Sequence, residues 1–151
     1  MTLSEVIKVI EGVASNQPSI NMVVQHNAFK LNDVPDAKYG AFAWVQGQHT
    51  ASVESSFITY SFFLYYIDRL THDKSNLIEV QSVGVMTLDN IIKSLEDLGI
   101  YTSTPYSFQP FSQRFLDECG GVYVNVSFDV PISSSCPEII NDPNVAVYEG
   151  E

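Results

Sequence analysis

The segment from Phe57 to Ile67, FITYSFFLYYI, dominates the hydrophobic pattern, since nine of its eleven residues are apolar or aromatic. Aromatic residues together with Ile and Thr are typical of a β-strand. Because side chains alternate along a strand, one face is entirely apolar and the other is mixed. Both faces need cover, from this chain or from another copy, so the pattern indicates a central strand and points to assembly. The apolar face carries Ile58, Tyr60, Phe62, Leu64 and Tyr66, and the mixed face carries Phe57, Thr59, Ser61, Phe63, Tyr65 and Ile67.

The N-terminal residues have the spacing of an amphipathic helix. Thr2 and Glu5 match the pattern of a capping box, and Gly12 with the polar run at 15–18 ends the periodic segment. We therefore predict a short helix that packs on the core through one stripe. That stripe contains Leu3, Val6, Ile7, Ile10, Val13 and Ala14.

A second, longer helix is predicted from Leu77 to Leu98 by the same periodicity. Ser75 or Asn76 is the predicted N-cap, and Glu79 has the spacing to complete a capping box with Asn76. Gly99 follows the last periodic residue and is the predicted stop signal.

This long helix matches the central strand in length. At 1.5 Å per residue it measures about 33 Å, and the strand at its own rise measures about 36 Å. We therefore expect the helix to lie along the sheet and to cover the apolar face. Gly84 either allows a close approach to the sheet or breaks the helix. The predicted buried stripe contains Leu77, Val80, Gly84, Leu88, Ile91, Ile92, Leu95 and Leu98.

Other strands are predicted from shorter patterns. Segments 19–31 and 39–45 have strand-like composition, and the polar segment 46–56 between the second of them and the central strand is a wide hairpin loop or the tips of two long strands. Segment 100–111 contains two prolines, which favours an edge strand or an irregular wrap.

The last strand has the cleanest alternation in the chain. Valines and Phe128 alternate with Tyr, Asn, Ser and Asp over 122–130, and Pro131 ends the pattern. The preceding glycines, Gly120 and Gly121, predict a turn.

These elements together predict an α+β fold. We expect a single domain over 2–131, with a mixed or antiparallel sheet of four to five strands and with the long helix and the short N-terminal helix packed on one face. Residues 132–151 are predicted to form an extended acidic C-terminal segment. It is either loose or ordered by adding its short apolar run, at 145–148, to the sheet edge of a neighbouring subunit.

The net charge of −11 is unevenly distributed, since no Lys or Arg follows Arg114. Specific nucleic-acid binding needs a basic patch and is therefore not expected. The acidity either keeps the protein soluble or lets DNA pass a surface without adhering. No apolar run reaches the length of a membrane span, and Glu5 interrupts the N-terminus, so we expect neither membrane contact nor a targeting segment.

Catalytic and metal-binding patterns are not found in the sequence. The three histidines, at 26, 49 and 72, are scattered, and no metal-ligand spacing or nucleotide-binding loop is present. We interpret Cys119 and Cys136 as two reduced thiols, with a disulfide between them as the alternative. We expect no cofactor, no metal and no enzymatic activity. A small enzyme with an unrecognised site, with His72 beside Asp73 as its strongest candidate, is the alternative.

The order of the elements resembles that of the small ring-forming proteins at the head–tail junction of tailed bacteriophages, of the tail-terminator or tail-completion type. The segments that carry this resemblance are LSEVIKVIEGV, SSFITYSFFLYYIDRL, SNLIEVQSVGVMTLDNIIKSLEDLGI and GGVYVNVSFDV. The last of these, before a cysteine-containing tail, is also similar to structural proteins of crAss-like phages of gut bacteria.

The resemblance implies a virion structural protein that is assembled in the host cytoplasm. It implies a homo-oligomer of six or twelve copies around the DNA channel of the neck or tail, in contact with portal, adaptor or tail proteins. A monomeric α+β protein-binding module or assembly factor is the alternative. On the ring hypothesis, the expected oligomer contacts are Phe57, Phe63, Tyr65, Ile67, Gln46, Gln48, His49, Val145, Val147 and Tyr148.

Overall fold

A computed structural model of the chain describes residues 1–24, 39–102, 104–112 and 118–132. Two helices and seven strands form in these ranges. In chain order they are α1 (Leu3–Ser15), β1 (Met22–Val24), β2 (Ala41–Gln46), β3 (Thr50–Ala51), β4 (Phe57–Arg69), α2 (Leu77–Asp97), β5 (Tyr101–Thr102), β6 (Phe108–Ser112) and β7 (Cys119–Pro131).

The central strand is β4, as predicted, and the whole sheet is built on it. The order is β1-β2-β4-β7-β5, with β3 also paired to β4 and β6 also paired to β7. β4 and β7 are antiparallel and paired along their full length, from Phe57 opposite Pro131 to Arg69 opposite Cys119. β1 and β2 are parallel, so the sheet is mixed. The α+β class is confirmed, with more strands than the four to five predicted, because three of the strands have only two or three residues and carry too short a period to detect.

Both helices pack on the same face of this sheet, which we call the helix-covered face. The predicted apolar face of β4 supplies Phe62, Leu64 and Tyr66 to this core, and all three are buried. Burial of large side chains on both sides of this contact is the main source of stability. The buried residues from the helices are Val6, Ile10 and Ala14 of α1 and Val80, Leu88, Ile91, Ile92 and Leu95 of α2.

Gly84 lies where α2 comes closest to the sheet. A Cβ at this position would lie 2.7 Å from Cγ2 of Val122 and 2.9 Å from Cδ1 of Tyr66. The helix continues through it, so of the two predicted roles the close approach is the one observed. Thr87 joins the buried stripe and its hydroxyl lies 2.6 Å from that of Ser19. Leu98, predicted to be buried, follows the last helical residue and is 54% exposed.

The two predicted capping boxes differ in outcome. At α1 the box is confirmed, since the Thr2 hydroxyl accepts from the Glu5 amide at 3.2 Å and the Glu5 carboxylate accepts from the Thr2 amide at 3.2 Å. At α2 it is wrong. Asn76 accepts from the Thr71 amide at 2.8 Å and donates to the Arg69 carbonyl at 3.2 Å, so its side chain closes the β4–α2 connection instead of capping the helix.

The glycine pair at 120–121 does not form the predicted turn and lies inside β7. Gly121 is paired with Ile67, and a Cβ there would collide with the Tyr66 carbonyl. Glycine is required here because the two backbones approach too closely for a side chain. Of the two alternatives for 100–111, an edge strand is observed in two short pieces, since β5 and β6 both pair with β7 and Pro110 lies within β6.

Other predicted segments are found in part. The strand expected over 19–31 forms at Met22–Val24, with residues 25–31 outside the described ranges, and the strand expected over 39–45 forms at Ala41–Gln46. The predicted C-terminal segment lies beyond the described residues after Ile132. In the described part of the chain, neither helix has the length and apolarity that a membrane crossing requires.

Gly84→Ala is expected to destabilise the protein. Alanine gains about 1 kcal/mol of helix propensity, but its methyl group overlaps Val122 and Tyr66, and overpacking of this kind costs about 1–3 kcal/mol. We expect a net loss of up to about 2 kcal/mol in the free energy of unfolding, measured by urea denaturation.

Gly12→Ala is the matched control. Gly12 is exposed on α1 and has no atom within 4 Å of an added Cβ, so this change should stabilise the protein by about 0.5–1 kcal/mol. Equal shifts in the two variants would contradict the close approach of α2 to the sheet.

Candidate functional site

The side of the sheet opposite the two helices, which we call the far face, carries the mixed face of β4. Alternation along the strand places Phe57, Phe63 and Ile67 on this side, together with the side chains paired to them on β2 and β7. The far face changes character along the strand. It is apolar in the half that ends at Arg69 and carries small polar side chains, at Thr59 and Ser61, in the other half.

The apolar half of the far face forms a second core. Ile67 is fully buried and Tyr65 is 5% exposed, and they cluster with the side chains of β1 and β2. Tyr65 stacks on Tyr123, with ring centroids 5.3 Å apart and planes at 26°, and meets Phe111 edge-on at 6.2 Å. Aromatic pairs in these geometries stabilise beyond the area that they bury.

Two of the predicted oligomer contacts lie in this second core. Tyr65 and Ile67 are buried within their own chain, so their side chains are not exposed to a second copy. Phe63 is half-buried at the edge of the same cluster, opposite Val45. Some of the apolar surface that the sequence assigned to a neighbouring copy is thus covered by this chain itself.

The polar half of the far face is a ladder of small side chains across β4 and β7. The Thr59 hydroxyl donates to the Asp129 carboxylate at 2.7 Å, and the Ser61 hydroxyl donates to the Asn125 side-chain oxygen at 3.3 Å. Cross-strand pairs of this kind stabilise a sheet and fix its register. Among the described residues, no group of three or more His, Cys, Asp or Glu side chains is placed to hold a metal ion.

Exposed apolar side chains gather where β4 begins and β7 ends. Phe57 is 41% exposed and is paired with Pro131, and Ile132, 42% exposed, donates its amide to the Ser56 carbonyl at 2.9 Å. Val53 in the adjoining turn is fully exposed. We call these four residues the tip surface: Val53, Phe57, Pro131 and Ile132.

A shallow groove adjoins the tip surface on the side of β3. It has a volume of about 280 Å³ and is lined by side chains of β3, the turn and β4. Ser55 fixes the start of β4, because its hydroxyl donates to the Phe57 carbonyl at 2.9 Å and accepts from the Phe57 amide at 3.2 Å. Sequence reasoning identified Phe57 but missed Val53, a single apolar residue in a polar segment, and Ile132, which follows the proline taken as the end of the alternating strand.

The polar segment 46–56 contains the short strand β3 and a turn, and so combines features of the two predicted alternatives, a wide hairpin loop and the tips of two long strands. β2 and β3 both pair with β4, and Gln46 and Gln48 are exposed, as a contact surface requires. His49 is half-buried. Its ring lies against Tyr60, with centroids 5.2 Å apart, and against Phe62 at 5.7 Å.

Two polar contacts hold the His49 ring in place. Its Nε2 lies 2.9 Å from the Gln46 side-chain oxygen, and its Nδ1 accepts from the Ser61 amide at 3.2 Å. Burial of the ring lowers the pKa of His49. The imidazole therefore belongs to the local structure of the hairpin.

The remaining candidate residues do not form a reactive site. His72 is fully exposed, with Nδ1 3.9 Å from a Glu118 carboxylate oxygen. Hydrogen bonds from Ser75 and Thr71 lower the pKa of Asp73, which places this carboxylate in the loop between β4 and α2 as a turn-stabilising group. Cys119 is buried. The predicted contacts Val145, Val147 and Tyr148, like Cys136, lie outside the described residues.

A second groove, of about 350 Å³, lies between α1 and β2. Trp44 forms its floor and donates its indole N–H to the Glu11 carboxylate at 3.0 Å. Leu3 and Ile7 supply apolar walls, and Lys8 supplies a charge at the rim. The groove is a feature of how α1 packs on the sheet edge, and none of the predicted contacts except Gln46 lines it.

Tyr65→Ser is expected to destabilise the protein strongly, because it removes a buried ring and leaves a cavity beside Tyr123. Truncation of a buried aromatic residue costs about 3–5 kcal/mol. Phe57→Ser is the control on the same strand and face, and should cost about 1 kcal/mol or less because its ring is partly exposed. Urea denaturation of the two variants measures both changes. Similar midpoints would contradict the assignment of Tyr65 to the core.

Comparison with known proteins identifies no family for this chain. The sequence matches no protein-family model and no curated protein. The far face, the tip surface and the hairpin are therefore the features from which a function has to be argued.

Proposed function

We propose that this chain is a structural subunit that forms a homo-oligomeric ring, and that the tip surface with the exposed part of the hairpin makes its contacts between copies. The observation that carries this proposal is the tip surface itself. Three exposed apolar side chains, Val53, Phe57 and Ile132, lie at the end of the sheet where β4 begins and β7 ends. Exposed apolar groups concentrated at one place are typical of protein–protein contact sites.

Rigidity supports a role of the tip surface in association. Phe57 and Pro131 are the terminal pair of a ladder that runs through thirteen residues of β4 and β7. A surface fixed on paired strands loses little conformational freedom when it binds, so more of the contact energy is available for affinity.

Shape and polarity support a contact between like subunits at the same place. The groove beside Phe57 is lined by serine, threonine and alanine side chains, which leave room for an inserted apolar group. Val53 on the adjoining turn is such a group and is fully exposed. A head-to-tail contact, in which one copy inserts a projecting side chain into a groove of the next, closes into a ring when the rotation between copies permits it, whereas a two-fold rotation about the same surface gives a dimer.

The net charge is compatible with a ring around DNA. A chain with a net charge of −11 repels phosphate groups, so a channel lined by such subunits lets DNA move without adhering. The α+β layout, with the long and the short helix on one face of the sheet, is the layout on which the resemblance to phage head–tail junction proteins depends. Within that resemblance we propose a tail-terminator or connector-like virion protein of six or twelve copies, bound to portal, adaptor or tail proteins.

The proposed contact set differs from the one that the sequence predicted. Phe57, Phe63, Gln46 and Gln48 stay in it as partly or fully exposed residues. The two buried residues of the far face leave it, and Val53 and Ile132 enter.

Simultaneous replacement of Val53 and Phe57 by Ser is expected to weaken assembly while the fold is retained. Removal of the two side chains lowers the favourable free energy of each contact by about 2 kcal/mol, because less apolar surface is buried. This corresponds to a loss of affinity of more than tenfold. Native mass spectrometry and light scattering of wild type and variant measure the number of copies, and circular dichroism checks the fold.

The control replaces Ile78 and Met86 by Ser. Both side chains are exposed, at 74% and 65%, and both lie on α2 away from the tip surface. This variant should assemble as the wild type does. Equal assembly of the two variants would exclude the tip surface as the contact, and a wild type that stays monomeric at high concentration would favour the protein-binding module instead.

A further inference from the structure

The strand opposite the start of β4 contains a β-bulge. Gln46 is paired with Phe62 and Thr50 is paired with Thr59, so the three residues 47–49 face only the two residues 60–61 of β4. One extra residue on one strand is the definition of a bulge, and bulges are common at sheet edges and at functional sites.

The hydrogen bonds at this bulge are not all between backbones. The Gly47 amide donates to the Ser61 carbonyl at 2.8 Å, as in an ordinary antiparallel ladder. The Ser61 amide, however, donates to Nδ1 of His49 at 3.2 Å. An imidazole nitrogen thus replaces a ladder carbonyl, and without it the Ser61 amide would lose this acceptor.

Both polar contacts of His49 require the same form of the ring. Nδ1 can accept from an amide only when it carries no proton, which places the proton of the neutral ring on Nε2. Nε2 then donates to the Gln46 side-chain oxygen, which lies 2.9 Å away. The doubly protonated ring would direct an N–H at the Ser61 N–H and would lose this hydrogen bond.

We propose that His49 is a pH-dependent latch, in which the neutral imidazole holds residues 46–51, the arm, against β4 and protonation releases the arm. The latch requires a group that titrates near physiological pH, and histidine is the side chain with that property. Apart from His49, the arm is held to β4 by the pairing of Gln46, by the hydrogen bond from the Gly47 amide and by the two paired residues of β3.

The surroundings of His49 favour the neutral ring. The titratable groups on the adjoining elements include Tyr60 on β4, which contacts the ring, and Glu54 in the turn. They also include Lys8 and Glu11 on α1, which share a groove with Gln46. Within the described residues no ion pair involves His49. Burial alone lowers its pKa from the ordinary value of 6.5.

The direction of the pH effect follows from the lowered pKa of His49. The open arm, with an exposed imidazole, binds a proton near pH 6.5, whereas the closed arm binds it only at lower pH. Closure is therefore fully stabilised above pH 6.5. It weakens as the pH falls from 6.5 to the lowered pKa, by at most about tenfold per pH unit for one proton.

The consequence for assembly rests on the proposed function. The arm carries Gln46 and Gln48 and leads directly to Val53 of the tip surface. Release of the arm would displace part of the contact surface, so ring formation should be favoured above pH 6.5 and weakened below it.

The latch is tested without reference to assembly by hydrogen exchange of the Ser61 amide between pH 7.5 and 5. The protection factor, which is the ratio of the unstructured to the observed exchange rate at each pH, should fall at least threefold in the wild type over this range. His49→Asn provides an acceptor close to the position of Nδ1 that does not titrate, so its protection factor should not depend on pH. His49→Phe keeps an aromatic ring but provides no acceptor, and should show low protection at every pH.

His72→Asn is the matched control for histidine titration, because His72 is fully exposed. It should keep the pH dependence of the wild type. A wild-type protection factor that does not change with pH, or the same pH dependence in His49→Asn, would overturn the latch. A pH-dependent latch in a chain that stays monomeric would confirm the latch and would count against the ring alone, so the two proposals can fail separately.

Discussion

The antiparallel pairing of β4 with β7 is the constraint on which the rest of the structure depends. The two strands are in register over thirteen residues, and each supplies alternate side chains to both faces of the sheet. Phe62 and Val126 belong to the core under the helices, while Tyr65 and Tyr123 stack on the opposite side. Because the side-chain period is two, a slip of one residue would exchange these two sets, so both cores fix the same register. Gly121 permits the pairing to continue beside the Tyr66 carbonyl.

A strand with two apolar faces needs two layers of cover, and this chain provides them unequally. The helix-covered face is closed by α1 and α2, with Gly84 allowing α2 to approach closely. On the far face, the half near Ile67 is buried, and the half near Thr59 avoids the need for cover by carrying hydroxyl groups that are bonded to Asp129 and Asn125. The apolar surface that a second copy could cover is therefore limited to the few exposed side chains at the end of the strand. Oligomer contacts, where they form, are confined to a smaller surface than the whole mixed face.

The sequence predicted what periodicity can encode and missed what depends on contacts between distant residues. The helix α1, the position of β4 and the alternation of β7 follow from local repeats, and all three are found. Asn76 is the N-cap residue of α2, as predicted, but its capping box is absent because its side chain bonds to the preceding loop, which only the folded connection reveals. The glycines at 120–121 have the composition of a turn, and their role depends on β4, which is distant in sequence. The burial of Tyr65 could not be predicted either, since period-two alternation assigns a side chain to a face but does not say what covers that face.

The edge of β4 connects these observations to the proposed assembly. Edge strands expose unpaired backbone groups that can pair with another chain, and proteins commonly block them with bulges or covering segments. The arm covers β4 at residues 58–62, and its bulge is completed by a side chain, His49, instead of by a backbone carbonyl. A backbone carbonyl would accept a hydrogen bond at any pH, whereas an imidazole accepts only when neutral. Because an imidazole takes the place of a carbonyl in the bulge, the cover of this edge depends on pH. Release of the arm would expose the edge of β4 beside the tip surface. Cover of the edge and presentation of the tip surface thus depend on the same arm.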